Sequence, residues 1–239
     1  MAGRGDTETV RRNFSVSLWL FCVSVVFRIE MSSNQDRARR ALLLWGAALG
    51  GLALQVGRGR FRSVDQHIIA WMDGWHSPTL DILMPAVSFF GSSMWAIAAI
   101  AGLAAWLTRQ RALIAASFVT GFAFEIILRL IIPHWRPDVA VPPSMDLFTK
   151  FHLTGFPSGH AFRSAFLCGW FAKAAQQQEW SLARLATAIC MIVIGLIGVS
   201  RVYLHRHWPS DVLGSWLLAL MVFAIVRLWE QAPTTNTNT

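Results

Sequence analysis

Most of the groups that could do chemistry lie in one short stretch near the carboxyl end of the chain. Residues 200–211 read S-R-V-Y-L-H-R-H-W-P-S-D and lie between two strongly apolar segments. A charge beside a membrane-like segment is costly unless it has a function. His207 and Asp211 are four residues apart, and at a helix start this spacing brings both side chains to one face. A carboxylate beside an imidazole fixes its tautomer and strengthens it as a base or a nucleophile.

The same stretch allows other interpretations. Arg201 is a planar cation suited to phosphate oxygens, but an H-x-x-x-D spacing alone is more often a surface ion pair. His205, His207 and Asp211 could instead be metal ligands. A hydrolytic metal site usually gathers several carboxylates, and this part of the sequence has few. We therefore predict neither a metal ion nor a cofactor.

A second basic cluster lies some seventy residues upstream. Residues 129–137 read R-L-I-I-P-H-W-R-P. Arg129 and Arg136, together with Arg201, could surround the non-bridging oxygens of a phosphoryl group. For each arginine, the simpler alternative is that its long side chain reaches the membrane interface. That alternative is our prediction for Arg163.

A third cluster, residues 157–160, reads P-S-G-H and predicts a helix start. Pro157 suits the first helical position. The N–H groups of Ser158, Gly159 and His160 would then point outward at the positive end of the helix dipole, where an anion binds readily. His160 adds a second imidazole, and phosphoryl transfer through a covalent intermediate needs both a nucleophile and an acid for the leaving group.

The remaining polar residues give weaker signals. We predict that Arg206 and Lys150 lie at the membrane interface. Four histidines have no partner that the sequence reveals, and we assign them to interfaces or loops: His67, His76, His134 and His152. The cysteines Cys22, Cys168 and Cys190 lie in apolar runs without a C-x-x-C, which predicts small buried residues and neither a disulfide framework nor a metal site.

The composition is that of a polytopic membrane protein. Hydrophobic residues make up 54% of the 239, charged residues only 14%, and the mean hydropathy is +0.45. A soluble domain has fewer apolar and more charged residues. The net charge of +8 does not indicate nucleic acid, because the arginines lie at the ends of apolar runs, where they set topology and contact anionic headgroups.

We predict an all-α bundle of six transmembrane helices with one short interfacial helix. The apolar segments are residues 41–56, 80–107, 112–132, 158–175, 182–199 and 209–229. The second is too long for one straight crossing, and Pro85 and residues 91–93 should bend it. Residues 64–75 have a helical stripe of apolar residues and should lie flat on the membrane surface.

The short loops predict the orientation. One side receives most of the basic residues and is therefore cytoplasmic, although Arg58, Arg60 and Arg62 oppose this assignment: Arg37, Arg39, Arg40, Arg109, Arg111, Lys173, Arg184 and Arg227. Residues 133–157 and 200–210 lie on the opposite side. Because the fourth and fifth helices form a hairpin, its two outer ends bring residues 157–160 and residues 200–211 to one membrane face.

The three clusters, taken in chain order, resemble the type 2 phosphatidic acid phosphatase superfamily, which includes the vanadium haloperoxidases. Its signature is K-x6-R-P, then P-S-G-H, then S-R-x5-H-x3-D. This chain has Arg129-x6-Arg136-Pro137, then P-S-G-H at 157–160, then Ser200-Arg201-x5-His207-x3-Asp211. The one departure is Arg129 in place of Lys, which keeps the charge but changes its geometry. The resemblance covers about residues 41–229.

The resemblance implies a mechanism. His207 attacks phosphorus and becomes phosphohistidine, Asp211 orients His207, and His160 protonates the leaving oxygen and then activates water. The phosphoryl oxygens are held by Arg129, Arg136, Ser158, Gly159 and Arg201. The arginines supply the electrostatic stabilisation that a metal ion would otherwise give.

The implied activity is that of an integral membrane phosphatase that hydrolyses a lipid phosphate or lipid diphosphate held in the bilayer. Undecaprenyl diphosphate is one candidate substrate. A protein that binds or transports phosphorylated lipids on the same scaffold without catalysis is the alternative, and the six apolar segments disfavour a haloperoxidase. The expected location is a bacterial inner membrane, with the site facing the periplasm or exterior. No feature of the sequence predicts an oligomeric state.

We divide the chain into three parts. Residues 1–40 form an N-terminal extension, and Met31 is a candidate initiator that would leave residues 1–30 outside the native protein. Residues 41–229 form the membrane phosphatase domain that the resemblance implies. Residues 230–239 form a polar tail that we expect to be disordered.

Overall fold

The computed structural model describes residues 35–92, 102, 110–132, 134–139, 153–178 and 181–231. Within these ranges the chain forms seven helices: α1 (Gln35–Gly57), α2 (Arg62–Asp73), α3 (Pro78–Ser92), α4 (Arg111–Ile131), α5 (Gly159–Gln177), α6 (Ala183–Tyr203) and α7 (Pro209–Glu230). Our predictions for residues 1–34 of the N-terminal extension, including Cys22 and Met31, and for Lys150, His152 and residues 232–239 of the tail lie outside the described residues.

The all-α prediction is confirmed for the described part of the chain. Four of its helices, α1, α4, α6 and α7, are long and apolar enough to cross a membrane. The described portion of the second predicted span is α3, which is shorter. The fourth predicted span is α5, which contains Arg163 and Lys173 and is mostly buried among the other helices. The count of six spans therefore stays a prediction.

Two helix boundaries differ from the prediction because polar residues continue an apolar helix. Helix α1 begins at Gln35, six residues before the predicted start, and Ala38 and Ala41 are buried on its inner face. Helix α6 continues to Tyr203, four residues past the predicted end. Ser200 and Arg201 therefore lie on its last turn, which gives Arg201 a fixed helical backbone.

Helix α7 forms the centre of the bundle and packs against α1, α4 and α5, while α6 packs against α5 and α3. A chain of aromatic rings fills the core between α5 and α7: Phe162, Phe166, Trp170 and Phe223. The prediction of free, buried cysteines is confirmed for Cys168 and Cys190.

The two ends of the bundle carry different groups. At the end opposite the three clusters, Lys173 forms an ion pair with Glu230 at 2.5 Å. At the cluster end, α2 exposes Trp71 and buries Asp65 and Met72, and Trp75, just after the helix, is exposed beside Trp71. An exposed aromatic face above a buried inner face suits a helix that lies on a membrane surface.

Candidate active site

The three clusters meet at Asp211, which lies in the first turn of α7 and has no exposed surface. Its Oδ2 accepts the backbone N–H of Trp208 at 2.9 Å and lies 3.3 Å from Nδ1 of His207. Its Oδ1 lies 2.8 Å from Nδ1 of His134. The carboxylate is thus held between two imidazoles from different parts of the sequence.

The backbone of Asp211 also joins the P-S-G-H segment. Its carbonyl oxygen accepts the N–H of Ser158 at 3.2 Å. The hydroxyl of Ser215, one turn along α7, lies 2.7 Å from the same carbonyl and 2.8 Å from that of Ser158. The start of α5 and the start of α7 are therefore fixed to one another beside the carboxylate.

His207 is 1% exposed and follows the last turn of α6. Its backbone N–H donates to the carbonyl of Arg201 at 3.2 Å, which fixes the turn. Burial lowers the pKa of His207 to about 4, against the raising effect of Asp211, and the charges of Arg201 and Arg136 lower it further. The ring is uncharged at neutral pH, and with Nδ1 directed at Asp211 its free lone pair lies on Nε2.

His134 is a site residue that the sequence did not reveal. It lies in the basic cluster of residues 129–137, two residues before Arg136, and its partner Asp211 is 77 residues away. Its carbonyl accepts the N–H of Gly155 at 2.6 Å. A Cβ atom on Gly155 would lie 2.5 Å from Oδ2 of Asp211, so only glycine fits beside the carboxylate.

Two arginines and a serine leave buried donors for a ligand. Nε of Arg136, Nε of Arg201 and Oγ of Ser158 are buried without a hydrogen-bond partner among the described residues. Buried polar groups are normally paired. Burial and the charge of Arg129 lower the pKa of Arg136. Arg201 is held from α3, because its Nη1 donates to Oγ of the buried Ser88 at 2.6 Å.

Arg129, in the position where the resembled signature has Lys, is held within the protein. Its Nη2 lies 2.9 Å from Oε1 of Glu125, one turn earlier on α4, and donates to the carbonyl of Pro157 at 3.0 Å. Both side chains of this ion pair are buried. The sequence showed the four-residue spacing but not the link to the P-S-G-H segment, which joins Arg129 to the start of α5.

The start of α5 differs in detail from the prediction. The helix begins at Gly159, with Ser158 as the residue before it, so Pro157 is not its first residue, and the Phe156–Pro157 peptide bond is cis. The Ser158 N–H is bonded to Asp211 and is not available to an anion. The N–H groups of Gly159 and His160 remain as possible anion donors.

The prediction that Arg163 reaches the membrane interface is wrong. A Cβ atom on Gly159 would lie 2.5 Å from Oε1 of Glu125 and 3.1 Å from the guanidinium nitrogens of Arg163. The Arg163 guanidinium therefore turns inward beside Glu125. His160, partly buried in the first turn of α5, experiences the positive charges of Arg201 and Arg163. The predicted site residues are thus gathered at one end of the bundle.

The start of α7 has a further partner in the interfacial helix. Asp65 of α2 is 1% exposed and accepts the backbone N–H of Ser210 at 2.9 Å and its hydroxyl at 2.6 Å. Burial raises the pKa of Asp65, and the two bonds from Ser210 oppose this effect. Because Ser210 precedes Asp211, α2 fixes the position of the central carboxylate.

The alternative metal-ligand set of His205, His207 and Asp211 is not brought together in the structure. His205 is directed away from the buried pair, and its Nε2 lies 2.8 Å from Oδ1 of Asp73 on α2. Arg206 is 56% exposed and pairs with Asp138 at 2.7 Å, which agrees with its predicted surface position.

Comparison with known proteins gives a consistent result. A family model described as PAP2 superfamily matches residues 112–234. The chain is 26% identical over 188 residues to phosphatidylglycerophosphatase B of Bacillus subtilis, covering 75% of this chain and 90% of that protein. It is also 28% identical over 118 residues to undecaprenyl-diphosphatase of Sulfolobus acidocaldarius, covering 49% of this chain and 54% of that protein.

The fold is shared with a solved membrane protein. The crystal structure of a transmembrane PAP2-type phosphatidylglycerolphosphate phosphatase from Bacillus subtilis superposes with a TM-score of 0.66 at 24% identity. The match covers 81% of this chain and 98% of the other. The matched family region contains all three clusters.

Proposed function

The chain belongs to the PAP2 superfamily and is a phosphoric ester hydrolase of the membrane, and from this premise we propose that it hydrolyses a lipid phosphate or diphosphate through a phosphohistidine intermediate. The observation that supports this most strongly is the contact of Asp211 with His207, which leaves Nε2 of the imidazole available to phosphorus. A membrane-bound tail would keep the substrate in the bilayer while its headgroup enters between the arginines.

In the first step, the lone pair on Nε2 of His207 forms a bond to phosphorus as the bond from phosphorus to the lipid oxygen breaks. His160 gives its proton to that leaving oxygen. Asp211 stabilises the positive charge that develops on the attacking imidazole, with its proton held on Nδ1. His134, on the other oxygen of Asp211, is a positioning residue that keeps the carboxylate in this orientation.

In the second step, His160 takes a proton from water as the water oxygen attacks phosphorus. The bond between nitrogen and phosphorus breaks, and phosphate leaves with His207 restored. Arg136 and Arg201 stabilise the charge on the equatorial oxygens in both steps, together with Ser158 and Gly159. Arg129 acts more indirectly in this account, because Glu125 and the Pro157 carbonyl hold its guanidinium. The arginines carry the charge stabilisation, so the reaction needs no metal ion.

The proposed location is a bacterial inner membrane with the site facing away from the cytoplasm. The end of the bundle opposite the site carries Arg111, Lys173, Arg184 and Arg227, the distribution expected of a cytoplasmic face. The names of the relatives suggest the first substrates to test, phosphatidylglycerol phosphate and undecaprenyl diphosphate.

The test is phosphate release by purified protein in detergent with EDTA present. The substrates are phosphatidic acid, phosphatidylglycerol phosphate and undecaprenyl diphosphate, each with and without vanadate as a phosphate analogue. We expect release that EDTA leaves intact and vanadate blocks, and no release by His207→Ala, which should remain folded. Release by His207→Ala at the normal rate would reject the assigned nucleophile, and no release from any lipid phosphate would reject the function.

A further inference from the structure

A second cluster of histidine and carboxylate side chains lies outside the active site. Asp73 ends α2, His76 lies in the turn before α3, and His205 lies in the turn after α6. One ligand atom from each, a carboxylate oxygen or a ring nitrogen, lies within 4.8 Å of the others. The three side chains are between 40% and 48% exposed, so the cluster is open to solvent.

The distances suit a small divalent cation. Oδ1 of Asp73 lies 2.8 Å from Nε2 of His205 and 4.0 Å from Nε2 of His76. Zinc binds imidazole nitrogen and carboxylate oxygen at about 2.0–2.2 Å, so two ligands of a tetrahedral site are roughly 3.4 Å apart. The two distances bracket that value, and small side-chain rotations would bring the three atoms around one ion.

The orientation of His76 points to a cation rather than a simple hydrogen bond. Its Nδ1 lies 2.8 Å from Oδ1 of Asp81, which also accepts the hydroxyl of Tyr203 at 2.5 Å. In the neutral ring, the Nδ1 proton is directed at Asp81, and the Nε2 lone pair then faces the oxygen of Asp73. These two acceptor atoms, 4.0 Å apart, can both bind one cation placed between them.

Asp81 gives His76 the hydrogen-bond partner that a metal-binding histidine normally has on its second ring nitrogen. The second ring nitrogen of such a histidine donates to a carboxylate or carbonyl, which fixes the tautomer and strengthens the ligand. The ring of His76 is fixed further by stacking on Tyr203, with centroids 4.2 Å apart. The ligand and its supporting groups are therefore preorganised, and the buried Tyr203 anchors them to α6.

We propose that Asp73, His76 and His205 bind one zinc-class divalent ion, with a fourth position open to water. Two imidazoles and a carboxylate suit zinc among the divalent metals. The ion would connect the end of the interfacial helix with the turn that leads to His207. It would stabilise this turn from outside the pocket and take no part in the phosphoryl transfer. This inference does not depend on the proposed function.

The test uses the full chain in detergent, without a polyhistidine tag and stripped with EDTA before dialysis. Zn²⁺ binding is measured by calorimetry, and Co²⁺ is added as a spectroscopic probe for a four-coordinate site. We expect one ion per chain, a higher melting temperature on addition of Zn²⁺, and loss of both effects in His76→Ala and in His205→Ala.

Two further variants make the test specific. Asp81→Asn keeps every ligand but removes the carboxylate that supports His76, and its affinity should fall about 10–100-fold. His67→Ala, on α2 but outside the cluster, should bind as the unaltered protein does. The proposal is overturned if the unaltered protein binds no ion, if Asp81→Asn binds as tightly as His67→Ala, or if binding persists in His205→Ala and disappears in His160→Ala.

Discussion

Asp211 contacts groups from all three clusters, and the sequence did not reveal its contact with His134. The sequence identifies His207 and Asp211 because they are four residues apart and belong to a recognisable signature. His134 belongs to no such pattern, since its partner lies 77 residues away and only the folded chain brings them together. Asp65, Ser88 and Gly155 escape sequence reasoning for the same reason.

Replacing His134 tests whether its contact positions the central carboxylate. Loss of one hydrogen bond to a buried carboxylate costs about 1.5–3 kcal/mol, so His134→Ala should lower kcat roughly 10–100-fold with little change in KM. His134→Asn is the matched control, because its amide can donate from near the position of Nδ1 and should restore most of the rate. Equal rates for the alanine and asparagine variants, or a normal rate for alanine, would remove His134 from the mechanism.

At the scale of the helices, hydropathy and charge predicted most of the architecture. Four of the described helices, α2, α4, α5 and α7, begin and end within two residues of the prediction, because their apolar patterns leave few alternatives. The start of α1 and the end of α6 were missed, because polar residues such as Arg201 continue the helix where tertiary contacts hold them. The close packing of α5 and α7 was also unpredictable, since it depends on which glycine faces which ring.

The contact between α5 and α7 gives a prediction about stability. A Cβ atom on Gly169 would lie 2.5 Å from the ring of Phe223, which Phe166 and Trp170 enclose. Gly169→Ala should therefore overpack the core and lower the free energy of unfolding by about 1–3 kcal/mol.

Gly51→Ala on α1 is the matched control for this change, because nothing lies within 4 Å of its added Cβ. It should leave stability unchanged or raise it slightly, since alanine favours a helix. Thermal unfolding in detergent compares the two variants. A melting temperature of Gly169→Ala equal to that of Gly51→Ala would show that α5 and α7 do not pack as described.

At the scale of the whole molecule, the predicted site residues and the candidate zinc cluster lie at one end of the bundle, where α2 covers the start of α7. The sequence predicted this common face from the helical hairpin alone. Arg58, Arg60 and Arg62 lie at the same end as the site and oppose the predicted orientation. The basic residues of the short loops at the other end of the bundle mark that end as cytoplasmic, which favours a site outside the cytoplasm.

Labelling of introduced cysteines tests that orientation. In a variant with Cys22, Cys168 and Cys190 replaced by serine, Thr79→Cys lies at the site end and Gln177→Cys at the other, both exposed. A membrane-impermeant thiol reagent added to intact cells should label Thr79→Cys and reach Gln177→Cys only after lysis. The reverse pattern would turn the site toward the cytoplasm.

The central claim is that phosphate passes through a covalent bond to His207, and the stereochemical course at phosphorus tests it most directly. A lipid phosphorothioate made chiral with oxygen isotopes is hydrolysed in isotopically labelled water, and the configuration of the released thiophosphate is determined. Each in-line displacement inverts phosphorus, so two successive steps through His207 predict net retention. Net inversion would mean that water attacks the lipid phosphate in a single step, and the account of His207 as nucleophile would be wrong.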